Sequence, residues 1–232
     1  MKTAVVIGAT GLVGSELIQK LAQEASHGQI IAVCRGNASK NKPNFNNPKV
    51  RVLNFDFKNW NDLELQVSSF LGTSSANFFC CLGTTISKAG NEEDFKKVDL
   101  DYVVNFAKLA KSCRAEQLLV VSALGADKNS SVFYNRTKGE MEEAVKNEFG
   151  GKTYFFRPSL LLGDRKDFRF GERVAILLAP IYTPLLMGSL RKYQPVPASK
   201  VAQKMVLVAA KKTEAPMFVE NNFILNKLDL KI

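Results

Sequence analysis

Residues 3–14 read Thr3-Ala-Val-Val-Ile-Gly-Ala-Thr-Gly-Leu-Val-Gly14. An unbroken apolar run ends in three glycines spaced G-x-x-G-x-x-G, and residues 15–23 then carry Leu17, Ile18 and Leu21 at helical spacing. A strand that turns through glycines into a helix is the context in which such a triplet acquires meaning. Gly8 permits the tight turn, Gly11 lets backbone approach a diphosphate without a Cβ in the way, and Gly14 allows the helix to pack closely on the strand. Thr10, Leu12 and Val13 complete the turn and open the helix, whose free N–H groups and partial positive charge suit a diphosphate. The alternative is an ordinary glycine-rich βα turn.

Outward from this turn, strands and helices alternate. Strands are expected at 29–34, 50–55, 76–82, 117–122 and 153–157, with helices at 59–70, 92–111 and 134–148. Asn59 or Asn61 offers an N-cap to the first of these helices. In the long helix, Phe95, Val98, Tyr102, Phe106 and Leu109 are expected along one side. Most strands are continuous apolar runs, as in a parallel sheet covered on both faces. The expected fold is a doubly wound, Rossmann-type parallel sheet in order 3-2-1-4-5-6. After about Gly163 the alternation fades. Residues 1–232 therefore read as one dinucleotide-binding domain, to which 164–232 contribute a small substrate-side cap with a short terminal strand or tail.

The end of the second strand bears on cofactor choice. NAD enzymes place an acid about 20 residues beyond the glycines to bond the ribose 2′-hydroxyl. Here Cys34 and Arg35 stand there instead. The guanidinium fork of Arg35 suits a 2′-phosphate, which favours NADP(H); a solvated arginine at a strand end is the competing account. Asp56, after the third strand, is positioned either to meet the adenine or to cap the following helix. Ser122 ends the fifth strand, where carboxyl ends of strands face the ligand crevice. Tyr134 and Lys138 are four apart on the next helix and share a face.

Together, the glycine turn, Ser122 and the Tyr134-x-x-x-Lys138 pair resemble the short-chain dehydrogenase/reductase superfamily. The closer resemblance is to its atypical branch that contains the Tat-interacting metastasis-suppressor oxidoreductase. Three stretches carry it: CCLGTTISKAG from Cys80, VSALGAD from Val121, and FRPSLLLGDR followed by RFGE. The resemblance implies that Tyr134 exchanges a proton with a carbonyl oxygen, Lys138 tunes that phenol and bonds the nicotinamide ribose, and Ser122 orients the carbonyl. It also implies that Leu82 and Gly83 line the adenosine side, that Leu161 sits near the nicotinamide, and that Arg169 reaches cofactor or substrate. The superfamily often adds an asparagine from the long helix. Asn105 is the candidate there, but its spacing to Ser122 is short and no role is assigned to it.

Bulk composition agrees. Hydrophobic residues make up 46% and charged residues 23%, which excludes disorder as the main state. The 32 Lys+Arg against 22 Asp+Glu give a formal charge of +10, scattered rather than clustered, so a solvated basic surface is expected and no nucleic-acid motif stands behind it. The four cysteines form no C-x-x-C pair, so no metal site or disulfide framework is expected. Reduced core thiols and the absence of a signal peptide before the first strand give the expectation of a cytoplasmic protein. The longest apolar run, 174–187, is interrupted by Pro180 and Pro184 and too short to span a bilayer. With Phe168, Phe170, Ile176 and Leu177 it points to a pocket for a hydrophobic carbonyl compound. His27, in a polar turn, is expected at the surface, and Arg157 is expected to mark a strand end.

These features favour an NADP-dependent oxidoreductase with a small-molecule substrate; oligomeric state is not legible. A cofactor-sensing regulatory protein on the same fold is the alternative. An epimerase using bound NAD is disfavoured by Arg35 and by the little room left for a nucleotide-sugar.

Overall fold

A computed structural model of the chain describes residues 1–36, 43–163, 186 and 188–226. The strands are β1 (Lys2–Ile7), β2 (His27–Cys34), β3 (Val50–Asn54), β4 (Ala76–Cys80), β5 (Gln117–Val121), β6 (Thr153–Arg157), β7 (Leu161–Leu162), β8 (Val196–Pro197) and β9 (Phe218–Glu220). The helices are α1 (Leu12–Gln23), α2 (Trp60–Leu71), α3 (Ile86–Ala89), α4 (Glu92–Lys96), α5 (Tyr102–Ser112), α6 (Phe133–Phe149), α7 (Ala198–Ala209) and α8 (Asn221–Leu225). Seven strands form one sheet in the order β3-β2-β1-β4-β5-β6-β9, every adjacent pair parallel. The expected order holds, with one strand added at the β6 edge.

Both faces of the sheet are buried, and the side chains alternate between them strand by strand. Ala4, Val6, Phe79, Leu119 and Phe156 join the core under α1 and α7. Val5, Ile7, Phe78, Leu118, Val120 and Phe155 join the core under α2, α5 and α6. This double burial explains the apolar runs that made the strands legible. Burial of each large side chain contributes about 1.5–3 kcal/mol, so the central strands are the most stable part of the fold.

Three local features depart from the sequence reading. First, the regular structure after Gly163 joins the main layers. Helix α7 packs on α1, and β9 pairs in parallel with β6 through Phe155–Phe218, Phe156–Val219 and Arg157–Glu220. Within residues 198–220, α7 and β9 thus also contribute to the Rossmann layers. Arg157 ties this region down, donating to Glu142 of α6 at 2.5 Å and to Glu220 at 3.0 Å. Second, His27 is not a surface residue but fully buried at the start of β2, 3.0 Å from Ser26 Oγ and 3.2 Å from Asn77 Nδ2. Third, the long helix is not uniformly α-helical: a π-turn over Lys97–Asp101 separates α4 from α5. The wider turn changes which residues face inward. The buried set is Phe95, Asp99, Val103, Phe106, Ala107, Leu109 and Ala110, while Val98 and Tyr102 are only half-buried. Asn59 caps α2 as expected, its side chain accepting the Asp62 N–H at 3.1 Å.

Candidate active site

The glycine turn lies between the carboxyl end of β1 and α1. Gly8 has φ +73°, and a Cβ there would fall 2.5 Å from the backbone of Cys81 at the end of β4. A Cβ on Gly14 would fall 2.2 Å from the Gly8 carbonyl. The turn therefore closes on β4 and on its own helix only with glycine at these positions. Helix α1 starts after the exposed Gly11, and among the described residues no side chain caps its opening N–H groups. Val13 is buried, Leu12 is half-buried against Gly163, and Thr10 is half-buried. Such a cradle, free of side chains and rich in N–H donors, fits a diphosphate.

Arg35 and Asp56 stand at the neighbouring strand ends, both exposed. The Arg35 guanidinium lies 5.4 Å from the centroid of the Phe57 ring, and Phe57 stacks on Tyr102 at 4.6 Å. This aromatic support places Arg35 beside the turn after β3. No carboxylate pairs with Arg35 among the described residues. Asp56 accepts the Lys58 N–H at 3.0 Å and does not cap α2, a role that belongs to Asn59.

The loop after β4 brings Leu82 and Gly83 to the same end of the sheet, Leu82 half-buried and Gly83 exposed. Ser122 follows β5, its N–H donating to the Phe156 carbonyl at 2.7 Å. Ser122 is 5% exposed, yet its Oγ has no hydrogen-bond partner among the described residues. An orphaned buried hydroxyl at the carboxyl end of a parallel sheet fits a site that awaits an oxygen-bearing ligand. Tyr134 is half-buried, its ring 5.7 Å from that of Phe95. Lys138, one turn on, is 3% exposed.

Lys138 has a partner that the sequence did not reveal. Its Nζ lies 2.7 Å from Asp99 Oδ1, with both side chains buried, and Asp99 Oδ2 accepts the Thr84 N–H at 2.7 Å. Burial is the largest single influence on Lys138 and opposes its charge, but the Asp99 carboxylate and Tyr134 together overcome it and hold the ammonium above the ordinary lysine range. Cys80 is close by. Burial pushes its thiol up to about 12 and that of Cys81 well above the usual value, so neither is a thiolate nucleophile at neutral pH. Asn105 lies on α5, half-buried, and is not the helix residue that meets Lys138.

Leu161, in β7, is half-buried against the same core as Leu12 and pairs with Val196. Arg169, with Phe168, Phe170, Ile176 and Leu177, lies outside the described residues. Among the described residues no helix is long and apolar enough to cross a membrane.

The family described as NAD(P)H-binding matches residues 8–160. HTATIP2 of Rattus norvegicus is 33% identical over 174 residues, covering 75% of this chain and 69% of that protein. The mitochondrial protein FMP52 of Candida glabrata is 30% identical over 241 aligned residues, covering 98% and 96%. A short-chain dehydrogenase/reductase (wide type) from Veillonella parvula, solved in complex with NADP, shares the fold with a TM-score of 0.61 at 14% identity, covering 94% of this chain and 92% of that one. These relatives correct one expectation. FMP52 proteins from several fungi are named mitochondrial, and this overturns the expectation of a cytoplasmic location. The physical reason for the misreading is that reduced thiols exclude oxidising compartments without distinguishing among reducing ones. By its sequence match, its sheet and its glycine turn, the chain belongs to the NAD(P)H-binding family, as an atypical short-chain dehydrogenase/reductase of the HTATIP2 branch.

Proposed function

We propose that this protein is an NADP-dependent oxidoreductase that moves a hydride between NADPH and a carbonyl or alcohol substrate. The observation that carries the reading is the reaction end of the sheet, where the unpartnered buried Ser122 hydroxyl and the buried Lys138 ammonium, one turn from Tyr134, lie at the same end as the glycine cradle. The opening N–H groups of α1, from Leu12 to Gly14, would hold the diphosphate, with Thr10 beside them and Gly8, Gly11 and Gly14 allowing the approach. Arg35 would take the 2′-phosphate, Asp56, Leu82 and Gly83 would line the adenosine side, and Leu161 and Arg169 would lie toward the nicotinamide and substrate. Bound NADPH would supply the hydride.

The chain's own residues supply the rest. Ser122 Oγ holds the substrate oxygen and stabilises its growing charge. The Tyr134 phenol passes its proton to that oxygen during reduction and takes it back during oxidation. Lys138 bonds the ribose and holds positive charge near the phenol.

The test is a screen of aldehydes, ketones and quinones for NADPH oxidation, joined to fluorescence titration of NADPH and NADH. NADPH is expected to bind more tightly than NADH, with the preference lost in Arg35→Asp. Tyr134→Phe is expected to lower turnover about a thousandfold while NADPH still binds. Wild-type rates in that variant would overturn the mechanism. Tight NADPH binding with no substrate across the screen would replace it with a cofactor-sensing role.

A further inference from the structure

The π-turn in the long helix has a chemical product. Asp99 lies within this turn, four residues after the buried Phe95, and is 1% exposed. Its carboxylate makes two contacts from one buried position. Oδ1 lies 2.7 Å from Lys138 Nζ on α6, and Oδ2 accepts the Thr84 N–H from the loop after β4 at 2.7 Å. Gly83 borders the same carboxylate, since a Cβ there would fall 3.6 Å from Asp99 Oδ1. One side chain thus joins three elements at the site: the loop on the expected adenosine side, the helix bearing Tyr134, and the irregular turn itself.

We propose that Asp99 is a positioning residue of the reaction centre, which anchors Lys138 to the loop after β4 and keeps its buried ammonium charged. The proposal rests on the oxidoreductase reading for the role of Lys138, but the anchoring stands on this chain's own geometry. Where the superfamily resemblance leads one to expect a neutral asparagine, the residue that meets Lys138 is an acid. An asparagine side chain could accept the Thr84 N–H equally well but could not neutralise a buried cation. The charge, not the hydrogen bond, is what distinguishes Asp99.

The groups that face Lys138 are Asp99 from the π-turn, Tyr134 from its own helix and Cys80 from β4. Asp99 is the carboxylate among them. Without it, burial acts on Lys138 unopposed by a neighbouring anion at neutral pH, and the amine gives up its proton more readily. A neutral amine neither donates three N–H groups nor draws the phenol toward ionisation. Asp99 therefore makes the lysine function insensitive to pH across the physiological range.

The experiment is NADPH affinity, read by fluorescence from about pH 7 to about pH 9.5, for the wild-type chain and for Asp99→Asn. The wild-type affinity is expected to stay flat. Asp99→Asn is expected to bind within about threefold of wild type at the low end and to weaken at least about tenfold at the high end, as Lys138 deprotonates. A variant curve that runs parallel to wild type, whether equal or uniformly weaker, would overturn the proposal, because a packing role carries no titration. If Asp99→Asn does not fold, the wild-type chain decides. The Lys138 side-chain amine, followed by NMR and assigned with Lys138→Arg, is expected not to titrate below the ordinary lysine value of 10.5. A midpoint below that value would overturn the anchoring. A chain that binds no NADPH would remove the oxidoreductase reading, and the NMR titration would still decide the role of Asp99.

Discussion

At the amino end of the sheet, His27, Asn77 and Gln117 are fully buried and bonded to one another and to the Ala209 carbonyl at 3.2–3.4 Å. At the carboxyl end, Ser122, Lys138 and Asp99 are almost as deeply buried, but the Ser122 hydroxyl has no partner and the other two carry opposite charges. The two clusters sit on the same strands and differ in purpose. The first is neutral and joins β2, β4, β5 and the end of α7, so its polar groups answer to the fold. The second holds charge and an open hydroxyl where it costs stability, which a fold tolerates at sites that handle ligands. Burial alone therefore does not mark function, and neither does an unmet valence, since Gln117 Oε1 in the first cluster also has no hydrogen-bond partner among the described residues; the buried charge pair is what sets the second cluster apart.

The largest expected effect breaks the charged cluster. Lys138→Met leaves the Asp99 carboxylate buried and alone, which is expected to cost about 3–5 kcal/mol of unfolding free energy. Adding Asp99→Leu should recover most of that loss. Urea denaturation of the single and double variants checks it; equal stabilities would mean that the pair carries no buried charge.

Acid is the next lever, and it acts on the opposite cluster. Burial lowers the pKa of His27 from 6.5 to about 4. Between those values the unfolded chain takes up a proton that the folded chain refuses, so stability falls as pH falls through the window. The full loss is about 3 kcal/mol. His27→Gln should flatten the dependence between pH 7 and pH 5, and an unchanged slope in that variant would remove His27 from the account.

The smallest expected effect sharpens the contrast. Ser122→Ala removes a hydroxyl that bonds nothing among the described residues, so its unfolding free energy is expected to shift by less than about 0.5 kcal/mol. Under the proposed function its turnover should still drop about a hundredfold. A large loss of stability would show that the hydroxyl has a structural partner.

Much of this molecule was legible in its sequence because the signals are local. The apolar runs, the glycine turn and the Asn59 cap each involve residues within one turn or one strand. Ser122 and Lys138 were legible as positions at the end of a strand and on one helix face, and the structure buries both at the carboxyl end of the sheet. Asp99 was not legible, because an acid on a helix reads as solvated until its buried cationic partner on another helix is known. His27 was hidden by its polar neighbours, Ser26 and Gly28, although the strand already begins at His27. Strand β9 was legible only as a short terminal strand or tail, because three residues are too few for alternation to fix its place in the sheet.

That short strand has a consequence for how copies of the chain meet. Open sheet edges invite a further strand from another molecule. Here one edge is β9, where the Arg157 guanidinium lies 4.3 Å over the Phe218 ring and binds Glu220 at 3.0 Å. The other edge is β3, where Arg51 lies 4.2 Å over the Phe70 ring. Brevity and charge at one border, and a cation laid on an aromatic ring at both, make poor templates for edge-to-edge growth. The sheet can carry long apolar strands in its middle without offering them to aggregation.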